Sequence, residues 1–290
     1  MLIVAATDFS KGASLAVERA ARLAEERNAR LMLAHVLNES VWASVRSALG
    51  RGRRKPVDPG DIASEMLASR VQGLVRRLGP RVDGILLRGT ASDVLAEFIA
   101  AQRADLLAMG AHGEKWLRYM LIGGTALKVL RRSVCPVLVV RRSRRRAYAK
   151  TIVAVDLSNK AMQVAKAAFA LLPDAEHHLV HAFHVPFEGR MRLAGSTERE
   201  IDRLRLLARR EAKRGLDAFT KRGRGRSAVR VSKELACGHP ASVIMEMQGL
   251  LRPDLTVLGR HSGPAATERL LGSTTQNVLY NSSGDVLVVP

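Results

Sequence analysis

The chain has 290 residues, of which 47% are hydrophobic and 4% aromatic, and it carries a net charge of +20. That length suits two domains, each burying its own core, and no apolar run approaches the ~20 residues that a membrane-spanning helix needs. The basic balance favours nucleotides, nucleic acid or another anionic partner without choosing among them. The two cysteines, Cys135 and Cys237, stand in no metal-ligand spacing, which argues against a zinc site or a structural disulfide.

Taken in order, Leu2–Ala6 is a β-prone apolar run, closed by turn chemistry at Thr7-Asp8-Phe9-Ser10, with Ser10 placed to cap a helix over Ala13–Glu26. This opening has no basic lead and reads as a first strand rather than a signal peptide, which places the protein in the cytoplasm. A second strand is expected at Leu31–Leu37. It is followed by an exposed basic excursion over 38–60, with some helix near Val41–Leu49, and then by a helix over Ile62–Leu78. A strand at Val82–Leu87 and a helix through Ala101 follow. The strand Leu106–Met109 leads into the glycine stretch Gly110–Gly113, and a helix over Thr125–Arg132 precedes the strand Val137–Val140. Near-continuous apolar strands alternating with helices predict a parallel sheet covered on both faces.

The pattern then restarts. Ile152–Ser158 echoes Ile3–Ser10, and Ala161–Leu172 is the matching helix. His181 stands where His35 stood. Glu188–Ser196 reads as a loop, Glu198–Thr220 as a strongly basic helix and Val229–Leu235 as the third strand. Ser282–Val289 repeats Ser133–Val140. The expected organisation is therefore two tandem copies of one βα fold, 1–141 and 150–290, joined by a basic, solvated linker over 142–149.

The residues that could carry chemistry also recur. Asp8 and Asp156 end the first strand of each copy, where an open α/β sheet binds its ligands. A carboxylate there can bond a ribose or an adenine amino group, or it can cap the next helix. Gly110 and Gly113, then Gly123, Gly124 and Thr125, form a glycine turn followed by a helix start, an arrangement whose backbone N–H groups suit a phosphate. Gly259, Ser262, Gly272, Ser273 and Thr274 are the second copy, 149 positions on. Neither copy has the lysine of a Walker loop, and neither reads GxGxxG. His112 and His261 could meet a phosphate or stabilise the turn. His35 and His181 read as satisfied near-core groups, and His177 with His178 lack a third metal ligand in the nearby sequence.

The first-strand aspartate followed by a serine, the spacing G-x2-G-x9-G-[ST] and the closing Pro136–Val140 strand resemble the universal stress protein family, over essentially the whole chain. The resemblance implies two five-stranded parallel α/β domains of strand order 3-2-1-4-5, related to the adenine-nucleotide α-hydrolases. It implies ATP or AMP as ligand, with Mg2+ only where ATP binds, and a stress-responsive regulator with at most slow hydrolysis. It also implies dimerisation through the last strand, a contact that a tandem chain can make within itself. Carried over by position, the adenine and ribose end falls to Thr7, Asp8 and Val36 in the first copy, and to Val155, Asp156 and Ala182 in the second. The glycine stretches take the phosphates. Gly124 stands where the family has a hydroxyl, and Ser262 where it has a glycine. The retained hydroxyls of Ser273, Thr274 and Thr275 favour the second copy. The alternative reading is a non-nucleotide interaction module or RNA-associated protein acting through its basic surface.

Overall fold

The computed structural model describes residues 1–38, 58–112, 122–142, 146–224, 228–261 and 270–290. The chain separates into two compact units, Met1–Ala147 and Tyr148–Val289. The division falls inside the stretch expected as a linker. Arg146 offers its carbonyl to Arg19 Nη1 at 2.9 Å, whereas Tyr148 is buried and donates its hydroxyl to Asp285 Oδ2 at 2.6 Å. Within the stretch Tyr148 is packed, while Arg146, Ala147 and Ala149 are exposed. The expected helix near Val41–Leu49 lies outside the described residues.

Unit 1 runs β1 (Leu2–Thr7), α1 (Lys11–Glu26), β2 (Arg30–Leu37), α2 (Pro59–Leu78), β3 (Val82–Arg88), α3 (Ala91–Ala101), β4 (Leu106–Gly110), α4 (Gly124–Arg132) and β5 (Val137–Val140). Its strands are parallel, in the order β3-β2-β1-β4-β5. Unit 2 runs β6 (Lys150–Ala154), α5 (Asn159–Leu171), β7 (Glu176–Phe183), α6 (Glu188–Leu193), α7 (Glu198–Arg224), β8 (Arg230–Cys237), α8 (Pro240–Leu251), β9 (Leu255–Gly259), α9 (Ser273–Asn281) and β10 (Asp285–Val289). It repeats the arrangement as β10-β9-β6-β7-β8, again parallel. The expected fold class and strand order are what the chain adopts. Among the described residues no helix is long and apolar enough to cross a membrane.

The strands are apolar on both faces because both faces are covered. Ile3, Leu31, Leu33, Leu106, Leu107 and Leu138 lie essentially without solvent contact, each worth about 1.5–3 kcal/mol relative to an exposed side chain. Helix ends follow local chemistry. Ser10 and Ser158 accept from the N–H groups of Ala13 and Ala161, both at 3.1 Å, and so cap α1 and α5. Asp58 caps α2 ahead of Pro59, and Gly79 ends that helix at φ 75°. An aspartate before the fourth strand of each unit fixes the start of the first. Asp105 Oδ2 accepts from Leu2 N at 2.7 Å, and Asp254 Oδ2 accepts from Ala149 N at 2.8 Å.

The segment read as a loop over Glu188–Ser196 contains the short helix α6. None of its residues is buried. Charge holds it in place: Glu188 pairs with Arg192 one turn on and with Arg205 of α7, and Arg192 reaches Glu198 at 3.0 Å. Such pairing leaves no apolar periodicity for a sequence to display.

His177 on β7 is fully buried, with both ring nitrogens bonded. Nε2 donates to the Leu172 carbonyl at 2.9 Å and Nδ1 accepts from the Thr151 hydroxyl at 2.8 Å. Burial, more than the neighbouring His178, holds its pKa below the ordinary 6.5, against the opposing pull of the Leu172 carbonyl. The folded ring stays neutral, while the unfolded ring takes a proton at its ordinary value. Its contribution to stability is therefore complete above about pH 6.5 and declines as the pH falls below it. Denaturant midpoints measured from pH 7.5 downward are expected to drop below that point, and His177→Gln is expected to lessen the slope.

Candidate functional site

Each unit opens a cleft at the carboxyl ends of its strands, between the first strand and the helix that follows the glycine stretch. In unit 1 the cleft holds about 600 Å3, and Thr7, Asp8, Val36, Gly110, His112, Gly123, Gly124 and Thr125 all line it. In unit 2 the corresponding cavity holds about 110 Å3, with Val155, Asp156, Ala182, Gly259, His261 and Thr274 on its walls. Gly272 and Ser273 sit at the start of α9 beside Thr274. Gly113 and Ser262 lie outside the described residues. The candidate residues of each copy that are described thus come together in space.

The floor of each cleft is one repeated turn. Asp8 Oδ1 accepts from Ser10 N at 3.0 Å and Asp156 Oδ1 accepts from Ser158 N at the same distance. The residue between, Phe9 or Leu157, takes a left-handed conformation with φ of 63° or 64°. One carboxylate oxygen therefore braces the turn, and the serine rather than the aspartate caps the helix. His35 Nδ1 donates to the Thr7 carbonyl at 2.8 Å, and His181 Nδ1 donates to the Val155 carbonyl at 2.9 Å. A carbonyl can only accept, so the proton sits on Nδ1 in both rings. Phe9 also stacks on His35, centroid to centroid 4.4 Å. The two strand histidines are satisfied structural groups, as their positions suggested. The Thr7 hydroxyl is engaged too, accepting from Phe9 N at 3.0 Å.

The opposite wall is the glycine stretch, and here the glycines have different reasons. A side chain on Gly110 would stand 2.8 Å from the Gly12 backbone, and one on Gly12 would stand 2.4 Å from the His112 carbonyl oxygen. Both glycines exist because the end of β4 presses on the start of α1. Gly123 donates its N–H to the Ala111 carbonyl at 2.8 Å, and Gly272 donates to the Arg260 carbonyl at 2.9 Å. These two amides close the turn, leaving the first-turn amides that follow them, which have no intrahelical acceptor. Neither α4 nor α9 has a side-chain cap. A Cβ added to Gly124 would meet no other atom within 4 Å.

His112 and His261 are half-buried. Burial first, then the charge of Arg141, holds His112 below the ordinary histidine value; burial, then Arg260 and Lys160, does so for His261. Both rings are neutral at pH 7. Among the described residues no cluster of three His, Cys, Asp or Glu side chains could hold a metal ion.

A third wall escaped the sequence reading. It comes from the start of the helix after the third strand: Ala91 in unit 1, Pro240 with Ile244 in unit 2. On the α4 side Ala126 faces the first cleft where Thr275 faces the second. The Thr275 hydroxyl is buried and donates to the Gly259 carbonyl at 2.7 Å. Of the hydroxyls that favoured the second copy, this one is turned inward and unavailable. Lys128 was also missed; it lines the wide cleft from the second turn of α4, where unit 2 has Asn277.

The family model for universal stress proteins matches residues 1–141 and 147–290. The chain belongs to the universal stress protein family. Its relatives include a universal stress protein of Methanocaldococcus jannaschii, 26% identical over 151 residues, which are 49% of this chain and 83% of that one. Among solved structures, the universal stress protein of Archaeoglobus fulgidus superposes with a TM-score of 0.67 at 17% identity, covering 99% of this chain and 97% of the other. A putative universal stress protein of Pseudomonas aeruginosa gives 0.67 at 19% identity, covering 99% and 92%. The likeness to these two structures is one of fold and spans both units.

The contrast among the glycines is directly measurable. Gly12→Ala and Gly110→Ala each place a methyl group against backbone and are expected to cost about 1–3 kcal/mol. Gly124→Ala, in open space at a helix start, is expected to be neutral or slightly stabilising. Urea midpoints of the three variants check the ordering.

Proposed function

We infer that unit 1 binds one adenine nucleotide, ATP or AMP, and that the protein is a nucleotide-responsive regulator of the cytoplasm. The observation that carries this reading is the 600 Å3 cleft at the switch point of the sheet, with Asp8 on one wall and the uncapped start of α4 on another. Asp8 Oδ1 braces the turn, which leaves Oδ2 to accept from ribose hydroxyls. Val36, Ala34 and Ala6 offer an apolar surface to the base. The amides of Gly124 and Thr125, the Thr125 hydroxyl and the Lys128 ammonium suit phosphate oxygens, the amides aided by the helix dipole.

Unit 2 keeps the carboxylate and the helix start but lacks the room. Pro240 and Thr275 stand where unit 1 has Ala91 and Ala126, and a 110 Å3 cavity is small beside a nucleotide. On this reading Asp156, Gly259, Gly272, Ser273 and Thr274 maintain the fold of the second copy rather than hold a ligand.

Hydrolysis, if any, is slow. Asp8 is the only carboxylate lining the described part of the wide cleft, and it belongs to the turn. Mg2+ would arrive with the phosphates of ATP, because the described lining supplies a single acidic group.

Isothermal titration of the purified protein is expected to give one ATP per chain. Asp8→Ala is expected to abolish the heat and Asp156→Ala to leave it. Gly124→Ser, which restores the family's hydroxyl in open space, is expected to tighten ATP binding by a few fold, about 1 kcal/mol or less. Absence of heat with both ATP and AMP, or two equivalent sites, would contradict the assignment.

A further inference from the structure

Helix α7 presents a line of cations that neither the fold nor the clefts use. Its inner face is committed to the core: Ile201, Ala212, Leu216 and Phe219 are at most 8% exposed. At 100° per residue, Arg199, Arg203, Arg210, Arg214 and Lys221 fall within about 60° of one another, diametrically opposite that buried seam. All five are exposed, and none has a carboxylate partner among the described residues. Of the helix's acids, Asp217 falls on the same line but pairs with Lys233; Glu198 pairs with Arg192 and Asp202 with Arg205, while Glu200 bonds the Thr197 backbone and hydroxyl. Glu211 alone stands exposed and unpaired on the flank.

We propose that this face of α7 is a docking surface for the phosphate backbone of double-stranded nucleic acid, bound without regard to sequence. The argument is one of charge complementarity and shape. From Arg199 to Lys221 the stripe runs about 33 Å along a rigid helix, close to one turn of a duplex at about 34 Å. Four of its five cations are arginines, whose planar forks bond phosphate oxygens in pairs. The only ring on α7, Phe219, is buried at 2% exposure, so no aromatic platform exists there for unstacked bases and a single strand gains little. A lipid surface fits less well. The apolar face of the helix is already packed on its own sheet, and only Leu206 and Leu207, 49% and 52% exposed, point outward among the cations. The proposal does not depend on nucleotide binding in unit 1.

The test is fluorescence anisotropy of the full chain with a labelled duplex of about 20 base pairs, as DNA and as RNA, across a salt series. Five phosphate contacts predict a slope of log K against log salt of about −4.5, a loss on the order of several hundredfold between about 50 and 200 mM salt. The variant Arg203→Glu/Arg210→Glu/Arg214→Glu is expected to abolish most of the binding to either duplex. Arg27→Glu/Arg70→Glu/Arg76→Glu in unit 1, with the same change in net charge, is expected to retain it. Circular dichroism confirms that both variants are folded. Three results would overturn the proposal: no binding of either duplex at low salt, equal loss in both triple variants, or binding to vesicles of anionic phospholipid but to neither duplex.

Discussion

The turn at the end of each first strand is the contact on which both units depend. Asp8 and Asp156 each give one carboxylate oxygen to the serine amide two residues on, and that serine caps the following helix. A histidine on the neighbouring strand ties down the carbonyl just before the aspartate. Together these bonds set where the chain leaves the sheet, where the helix begins and where the second carboxylate oxygen points. The turn braces the fold with one oxygen of the carboxylate. Capping, which appears as a possible role for the aspartate in the sequence, falls to the adjacent serine.

The tandem α/β organisation was legible because it is written in local periodicity and repeated. Apolar runs of strand length, serine caps and glycine turns recur at a nearly constant offset, and each has a short-range cause. What was not legible depends on close approach between distant segments. Gly110 reads as a phosphate glycine in the sequence; in the fold its missing side chain also makes room for Gly12, nearly a hundred positions earlier. Pro240 gave no signal in the sequence, yet it lines the second cleft together with Ile244 and Thr275. Of the hydroxyls that favour the second copy in the sequence, that of Thr275 turns inward to Gly259. Helix α6 was missed because charge pairs, and not an apolar stripe, hold it.

The two copies have therefore kept the same frame and diverged in what the frame encloses. Unit 1 has small residues where the cleft needs room, a free glycine at the helix start and a lysine reaching in from α4. Unit 2 has Pro240 and Thr275 in place of Ala91 and Ala126, and it carries a basic helix with no counterpart in charge among the described residues of unit 1. The strand order and register are shared, so the differences rest on a handful of side chains and not on topology.

The central claim is that nucleotide occupancy is confined to the first cleft. A crystal structure determined after equilibration with excess ATP tests it most directly. The account predicts a nucleotide in unit 1, its ribose against the Asp8 carboxylate and its phosphates over the amides of Gly124 and Thr125, with none in unit 2. A nucleotide in the second cleft, or in neither, would contradict it.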